Sequence, residues 1–457
     1  MYNKYGHSIE VMEMNKTTVK YPFLTEDVEI YERDNGHKIV LAHKEGDMAN
    51  VSTWVKTGSI NENDKINGIS HFLEHLMFKG THKHKAGEFD RILEAKGAIV
   101  NAATWKDYTY YYITLPKGEN CKDLNLAIEL HADMMLDPIL PEEEIGSPFD
   151  LNDSSVTDKR ERHVVIEEIR MRKDQNWTKI YNACNYNMYT KHPYKRDVIG
   201  TPEIISQVTR DDIMNYYQTF YSPENMTTII VGDFDKNEVL KKVEKEFDFK
   251  GRQNAPKKVN EIDKPAENKK VVEASAHVNT VYFMYGWLGP LAKDIKGTIC
   301  LDIISIIFGD GTSSRLYQNL IEKQSEPIFN MIGSEHYQFK DGNNFFIQAN
   351  CKPEKKDAAI QLVEQELANL INNPITDEEL KKAKKKIKSR FAYSAETVSE
   401  IGETIGYYMT VCEDLNLIEE YLNDLESITI EDLNNIIKTY LNLNNSVLSI
   451  LVPEKMA

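Results

Sequence analysis

Two stretches of this chain repeat one another. Thr209-Arg-Asp-Asp-Ile-Met-Asn-Tyr-Tyr-Gln-Thr-Phe-Tyr and Thr429-Ile-Glu-Asp-Leu-Asn-Asn-Ile-Ile-Lys-Thr-Tyr-Leu stand 220 residues apart. At that offset Thr209/Thr429, Asp212/Asp432, Asn215/Asn435, Thr219/Thr439 and Asn225/Asn445 are identical pairs. Each Thr is placed to cap a helix, with an acid three residues on that can reach back to it. Each helix then leads into a closing strand, at 228–231 and 448–452. A constant offset over a helix and a strand implies two similar α+β halves, each a sheet with helices packed on it. The 457 residues suit two domains of roughly 200 residues each.

The segment 249–270 separates the halves. It is rich in Lys, Asn, Pro and Glu, lacks apolar periodicity and reads as a linker. The expected domains are therefore 1–248 and 271–457. In the first, strands are expected at 28–31 and 38–42, joined at Asp34-Asn35-Gly36 as a hairpin. A third strand is expected at 51–55, then a polar loop over 58–68 and a helix from Ile69. A helix around 86–95, a strand pair at 99–103 and 109–115, and a helix near 123–135 follow. Beyond the linker the pattern restarts with a strand at 278–285 and a helix at 297–308.

Composition narrows the function. A formal charge of −17 argues against nucleic acid or an anionic membrane as the main partner and suits basic peptides. No apolar run reaches membrane-spanning length. The first 25 residues lack the apolar core of a secretory signal and the Arg-rich character of a presequence, so a cytoplasmic location is expected. The five cysteines, at 121, 184, 300, 351 and 412, are widely spaced without a CxxC and read as reduced, mostly buried thiols. The basic run 381–390 follows a capping box at Thr376 and reads as a solvated helix face.

The chemistry lies in His71-Phe72-Leu73-Glu74-His75. On a helix, positions four apart share a face, so His71 and His75 can offer two imidazoles to one ion. Glu74 reaches the same site from the side. This is the inverted His-x-x-Glu-His arrangement of some zinc peptidases. Zinc on three protein ligands keeps a position open, makes water acidic and polarises a carbonyl. Glu74 is the expected general base. For the third ligand, Glu167 and Glu168 are equal candidates on the residues alone. His82, His84, His131 and His163 are rivals, of which His82 and His84 read as surface residues.

The segment 68–81 around this motif resembles the zinc helix of the M16 (pitrilysin/insulinase) metallopeptidases, nearest to the two-domain branch containing mitochondrial processing peptidase and its bacterial relatives. Residues 97–109 are similar to that family's edge-strand segment. His192-Pro-Tyr194, Ile199-Gly-Thr201, Tyr221-Ser-Pro-Glu-Asn225, Gly232-Asp-Phe234 and Ser314-Arg-Leu316 match further blocks. The resemblance implies two similar domains, each a mostly antiparallel sheet with helices on one face, forming half of a clamshell. It implies one zinc ion per chain, with Glu168 as third ligand and Glu161 as a supporting acid two turns away on the same helix face. It also implies that Asn101 and Ala102 hold an extended peptide substrate on an open sheet edge.

Two departures stand out. Residues 146–160 form a longer join than the family's and read as an inserted loop. The second domain lacks the Arg and Tyr, seven apart, that single-chain members carry. Ile321 and Ile328 stand in their place, or Phe329 if the join slips by one. The expectation is a dimer, with a second M16-like subunit supplying that pair. The competing expectation is a non-catalytic docking subunit of a larger complex.

Overall fold

A computed structural model describes residues 14–153 and 160–454. Residues 154–159 of the expected inserted loop, and 1–13 of the stretch read for a leader, lie outside the described residues. Among the described residues no helix is long and apolar enough to cross a membrane.

The first half is a seven-stranded sheet, ordered β1-β2-β3-β7-β4-β6-β5. Its strands are β1 (Asn15–Val19), β2 (Val28–Glu32), β3 (Lys38–His43), β4 (Met48–Val55), β5 (Ile99–Thr104), β6 (Thr109–Pro116) and β7 (Met226–Gly232). The second is a five-stranded sheet, ordered β10-β11-β9-β12-β8. It holds β8 (Lys270–Ala276), β9 (Val281–Leu288), β10 (Phe329–Phe339), β11 (Gly342–Cys351) and β12 (Val447–Pro453). Both sheets are antiparallel except for one pair each, β3 with β7 and β8 with β12. The halves correspond strand for strand from one edge, β5-β6-β4-β7-β3 against β10-β11-β9-β12-β8.

The first half contributes α1 (Ile69–Met77), α2 (Lys122–Leu136), α3 (Glu161–Asp174), α4 (Asn176–Met188) and α5 (Arg210–Phe220). The second contributes α6 (Ile295–Gly309), α7 (Lys356–Asn372), α8 (Asp377–Tyr393), α9 (Val398–Tyr407) and α10 (Ile430–Tyr440). The repeated Thr209 and Thr429 cap α5 and α10 with full capping boxes. Residues 247–269 hold neither helix nor strand. The segment is nonetheless pinned: Arg252 donates to the Leu136 and Tyr221 carbonyls, and Asp263 accepts from the His192 N–H.

Four strands, β1, β8, β10 and β11, escaped the sequence reading. β1, Asn-Lys-Thr-Thr-Val, is exposed at four of its five residues, so it shows no apolar alternation. β8 lies at the other sheet's edge and has no fully buried residue.

Each half covers one face of its sheet with its own helices, and those faces hold the two largest cores. The opposite faces are covered across the halves. Val398, Ile401 and Ile405 of α9 bury against Val40, Trp54, Ile229 and Val231 of the first sheet. Ile180, Cys184 and Met188 of α4 bury against Met284, Phe346 and Leu451 of the second. Glycine allows both approaches. A Cβ on Gly406 would stand 2.0 Å from the Trp54 ring, and one on Gly286 of β9 would stand 2.4 Å from the Met188 sulfur.

The turns of the two edge hairpins also meet. Tyr194 Oη donates to Asp107 Oδ1 at 2.6 Å, and the Lys340 N–H donates to Asp107 Oδ2 at 3.0 Å. Burial lifts the Asp107 carboxyl to about 6 against these hydrogen bonds.

Gly406→Val forces a side chain into the Trp54 ring, and overpacking of this kind costs about 1–3 kcal/mol. Chemical denaturation should show that loss. Gly342→Ala, where a Cβ meets nothing within 4 Å, should stay near wild type.

Candidate metal centre

Helix α1 starts from a fixed point. Gly68, in the left-handed region at φ 95°, precedes it. A Cβ there would stand 2.5 Å from the Ile199 carbonyl oxygen, so the Ile199-Gly200 segment lies directly against the start of the helix. Glu62, fully buried, holds the first turn. It accepts from the Gly68 N–H at 2.8 Å, the Ser70 N–H at 3.0 Å and Ser70 Oγ at 2.5 Å. An anion at a helix N-terminus is favourable, although burial pushes this carboxyl up. Nothing in the spacing of Glu62 marked it as a cap.

Phe72, Leu73 and Leu76 anchor α1 in the first core. That leaves His71 and His75 on the adjoining face, with ring centroids 4.7 Å apart. Helix α3 brings in Glu168. Its Oε2 lies 3.6 Å from His71 Nε2 and 3.4 Å from His75 Nε2. One ligand atom from each of the three residues lies within 4.8 Å of the others, and no other such group of His, Cys, Asp and Glu occurs among the described residues. Glu167 points away and pairs with Arg170 at 2.6 Å. The fold thus separates two glutamates that the residues alone left equal.

The outer contacts orient the cluster. His75 Nδ1 lies 2.8 Å from Glu161 Oε1. An ionised carboxylate can only accept, so Nδ1 carries a proton toward Glu161, which leaves Nε2, facing Glu168, as the nitrogen an ion would take once its own proton is displaced. Glu161 also pairs with Lys79 at 2.5 Å, and its backbone N–H donates to Glu144. Burial lowers His75, but its bonds to Glu161 and Glu168 outweigh this and lift it to about 9. Burial, followed by the nearby His75, brings His71 down to about 4, the neutral form a ligand requires. His71 Nδ1 is buried with no hydrogen-bond partner.

Glu74 stands beside the cluster. Thr104 Oγ1, at the end of β5, donates to Glu74 Oε2 at 2.5 Å, and burial pushes the carboxyl up. Arg172 lies one turn past Glu168, 3.8 Å from its Oε1. Sequence reading missed Thr104, Lys79 and Arg172. Only the i, i+4 spacing of Glu168 and Arg172 offered a signal. Asn101 is exposed on β5, the open edge of the sheet, and its Oδ1 accepts from the Ala102 N–H at 2.9 Å. Asn101 and Ala102 lie on the same strand as Thr104 but make no contact with the histidines among the bonds of the described residues.

The rival histidines lie elsewhere. His82 is exposed and pairs with Asp137, and His84 pairs with Asp133. His131 is buried against Thr53, and His163 stacks on Phe149. In the second half Ile321 and Ile328 are half-buried against that half's core. No Arg or Tyr occupies those two positions.

The three donors fit zinc. Ligand atoms about 2.0–2.1 Å from a tetrahedral ion stand about 3.4 Å from one another. The distances of Glu168 Oε2 to the two imidazole nitrogens, 3.6 and 3.4 Å, match that separation. Two imidazoles and one carboxylate, with a carboxylate on the second nitrogen of His75, are a donor set zinc accepts readily.

A two-domain α+β chain with this inverted histidine pair on a helix carries the ligand arrangement found in some zinc peptidases. Comparison with known proteins gives the family. Residues 38–201 match the family model "Insulinase (Peptidase family M16)" and residues 207–387 match "Peptidase M16 inactive domain". The chain belongs to the M16 peptidase family. It is 29% identical over 433 residues to the zinc protease PqqE of Helicobacter pylori, covering 92% of this chain and 91% of that protein. It is 26% identical over 405 residues to the uncharacterized zinc protease YmxG of Bacillus subtilis, covering 88% and 93%. The crystal structure of a protease from Helicobacter pylori superposes with a TM-score of 0.81 at 27% identity, over 93% of this chain and 99% of that one.

Glu168→Ala should abolish stoichiometric zinc binding, whereas Glu167→Ala should leave it intact. Glu161→Gln should keep the fold and weaken zinc about 10–100-fold, read by chelator competition.

Proposed function

We propose that the chain is a zinc metalloendopeptidase that hydrolyses peptide bonds in unfolded or presequence-like peptides. The observation that carries this reading is the convergence of His71, His75 and Glu168 with Glu74 beside them. Zinc held by those three residues supplies a Lewis acid for the scissile carbonyl and lowers the pKa of water. The chain's own residues do the rest. Glu74 takes a proton from the attacking water on its carboxylate and delivers it to the departing amine. Thr104 fixes one Glu74 oxygen and leaves the other free for that transfer. Burial raises the affinity of Glu74 for the proton it must hold between the two steps. The open edge of β5 offers backbone groups on which an extended peptide can add as a further strand, with Asn101 and Ala102 among them.

The family model that calls itself inactive covers residues 207–387, which include none of these four residues. That favours catalysis by the first half over a purely structural docking role. The Ile321 and Ile328 positions support a further part of the proposal. A second, non-identical M16-like subunit supplies the Arg and Tyr that this chain lacks, as one member of a heterodimer.

Glu74→Gln should retain zinc and slow cleavage of a quenched fluorescent peptide by about 10²–10⁴-fold. Wild-type cleavage by that variant would remove the general-base role. Adding a second M16-like gene product from the same source should raise the wild-type rate. Full activity of the purified chain alone would contradict the heterodimer.

A further inference from the structure

The Glu62 carboxyl, in a residue 1% exposed, meets four donors. Its Oε1 accepts from the Ser70 N–H at 3.0 Å and from Ser70 Oγ at 2.5 Å. Its Oε2 accepts from the Gly68 N–H and from Asn67 Nδ2, each at 2.8 Å. A carboxylate is acceptor-only, whereas an amide of the same shape turns its NH2 toward two of these donors. The surroundings therefore call for a glutamate, beyond what a small polar cap would supply.

The segment that delivers Glu62 is fastened to the end of β5. The Ser59 N–H donates to the Trp105 carbonyl at 3.3 Å, and the Ile60 N–H to the Lys106 carbonyl at 2.9 Å. Gly58 permits this approach, because a Cβ there would stand 2.1 Å from the Trp105 carbonyl oxygen. Trp105 directly follows Thr104, which donates to Glu74. The far side is fixed as well. Asn67 Nδ2 also donates to the Asp197 carbonyl at 2.8 Å, and Arg196 Nη1 donates to the Glu62 carbonyl at 3.1 Å.

Residues 58–62 thus bridge the two elements that meet beside the metal centre. One is β5, through Thr104, and the other is α1, which carries His71, Glu74 and His75. The rotation of α1 about its axis sets two separations at once, imidazoles to Glu168 and Glu74 to Thr104. A side-chain atom about 6 Å from a helix axis moves about 1 Å for every 10° of rotation. Metal–ligand distances tolerate only about 0.2 Å. A small turn of α1 is therefore enough to spoil the site, and Glu62 is the group that holds its first turn.

We propose that Glu62 is a positioning residue for the metal centre, fixing the rotation of α1 between Thr104 and Glu168. It thereby sets the affinity for zinc and the placement of Glu74. The first consequence concerns the three ligands alone, and the second rests on the peptidase reading.

The test compares the full chain as wild type, as Glu62→Gln and as Gly406→Val, the last losing stability away from the site. Chelator competition gives zinc affinity, and cobalt(II) in place of zinc reports ligand geometry through its visible bands. Glu62→Gln should weaken zinc about tenfold, alter the cobalt bands, and lower kcat about tenfold or more with KM within about twofold. Gly406→Val should melt earlier yet keep the wild-type zinc affinity and cobalt bands. If Glu62→Gln does not fold, Ser70→Ala removes one of the four bonds and should weaken zinc about threefold with the same spectral change. Wild-type zinc affinity and cobalt bands in the folded variant, or the same changes in Gly406→Val, would overturn the proposal. A wild-type chain that binds zinc and cleaves no peptide sinks the peptidase reading instead, and the zinc and cobalt comparison still decides the role of Glu62.

Discussion

Each sheet in this chain has an apolar face that its own half leaves bare, and the helix that covers it comes from the other half. Helix α9 lies on the first sheet and α4 on the second. Burying apolar surface contributes about 25 cal/mol per Å², so neither half is expected to be stable with that face exposed to water. Gly286 and Gly406 set how closely each helix approaches. The rest of the architecture depends on this exchange. It fixes the two edge hairpins against each other at Asp107.

The metal centre inherits its rigidity from the same packing. Helix α1 is pinned at its start by Glu62 and along one face by the first core, so its two histidines have little freedom. Glu168 comes from α3, which runs directly into α4 across a single residue, Gln175. The helix that carries the third ligand is thus tied to the one that docks on the other half. Ligand side chains held this way need little reorganisation to take up an ion.

The His71–His75 pair was legible in sequence because both residues sit on one helix, where spacing alone determines which side chains share a face. Glu168 was legible only through the family resemblance, since it lies far along the chain and only the rotation of α3 separates it from Glu167. The capped helices at Thr209 and Thr429 could be read because capping is local. The exchange of α4 and α9 could not, because periodicity shows that a helix face is apolar without showing what will cover it. β1 was hidden by a run of polar residues, and Glu62 by a capping geometry no short motif describes.

The account stands on one zinc ion shared by His71, His75 and Glu168. Anomalous diffraction from crystals of the zinc-loaded chain, collected on both sides of the zinc absorption edge, tests this most directly. The account predicts a single anomalous peak per chain, about 2.0–2.2 Å from His71 Nε2, His75 Nε2 and a Glu168 oxygen. A peak elsewhere, or none between those residues in the loaded protein, would contradict it.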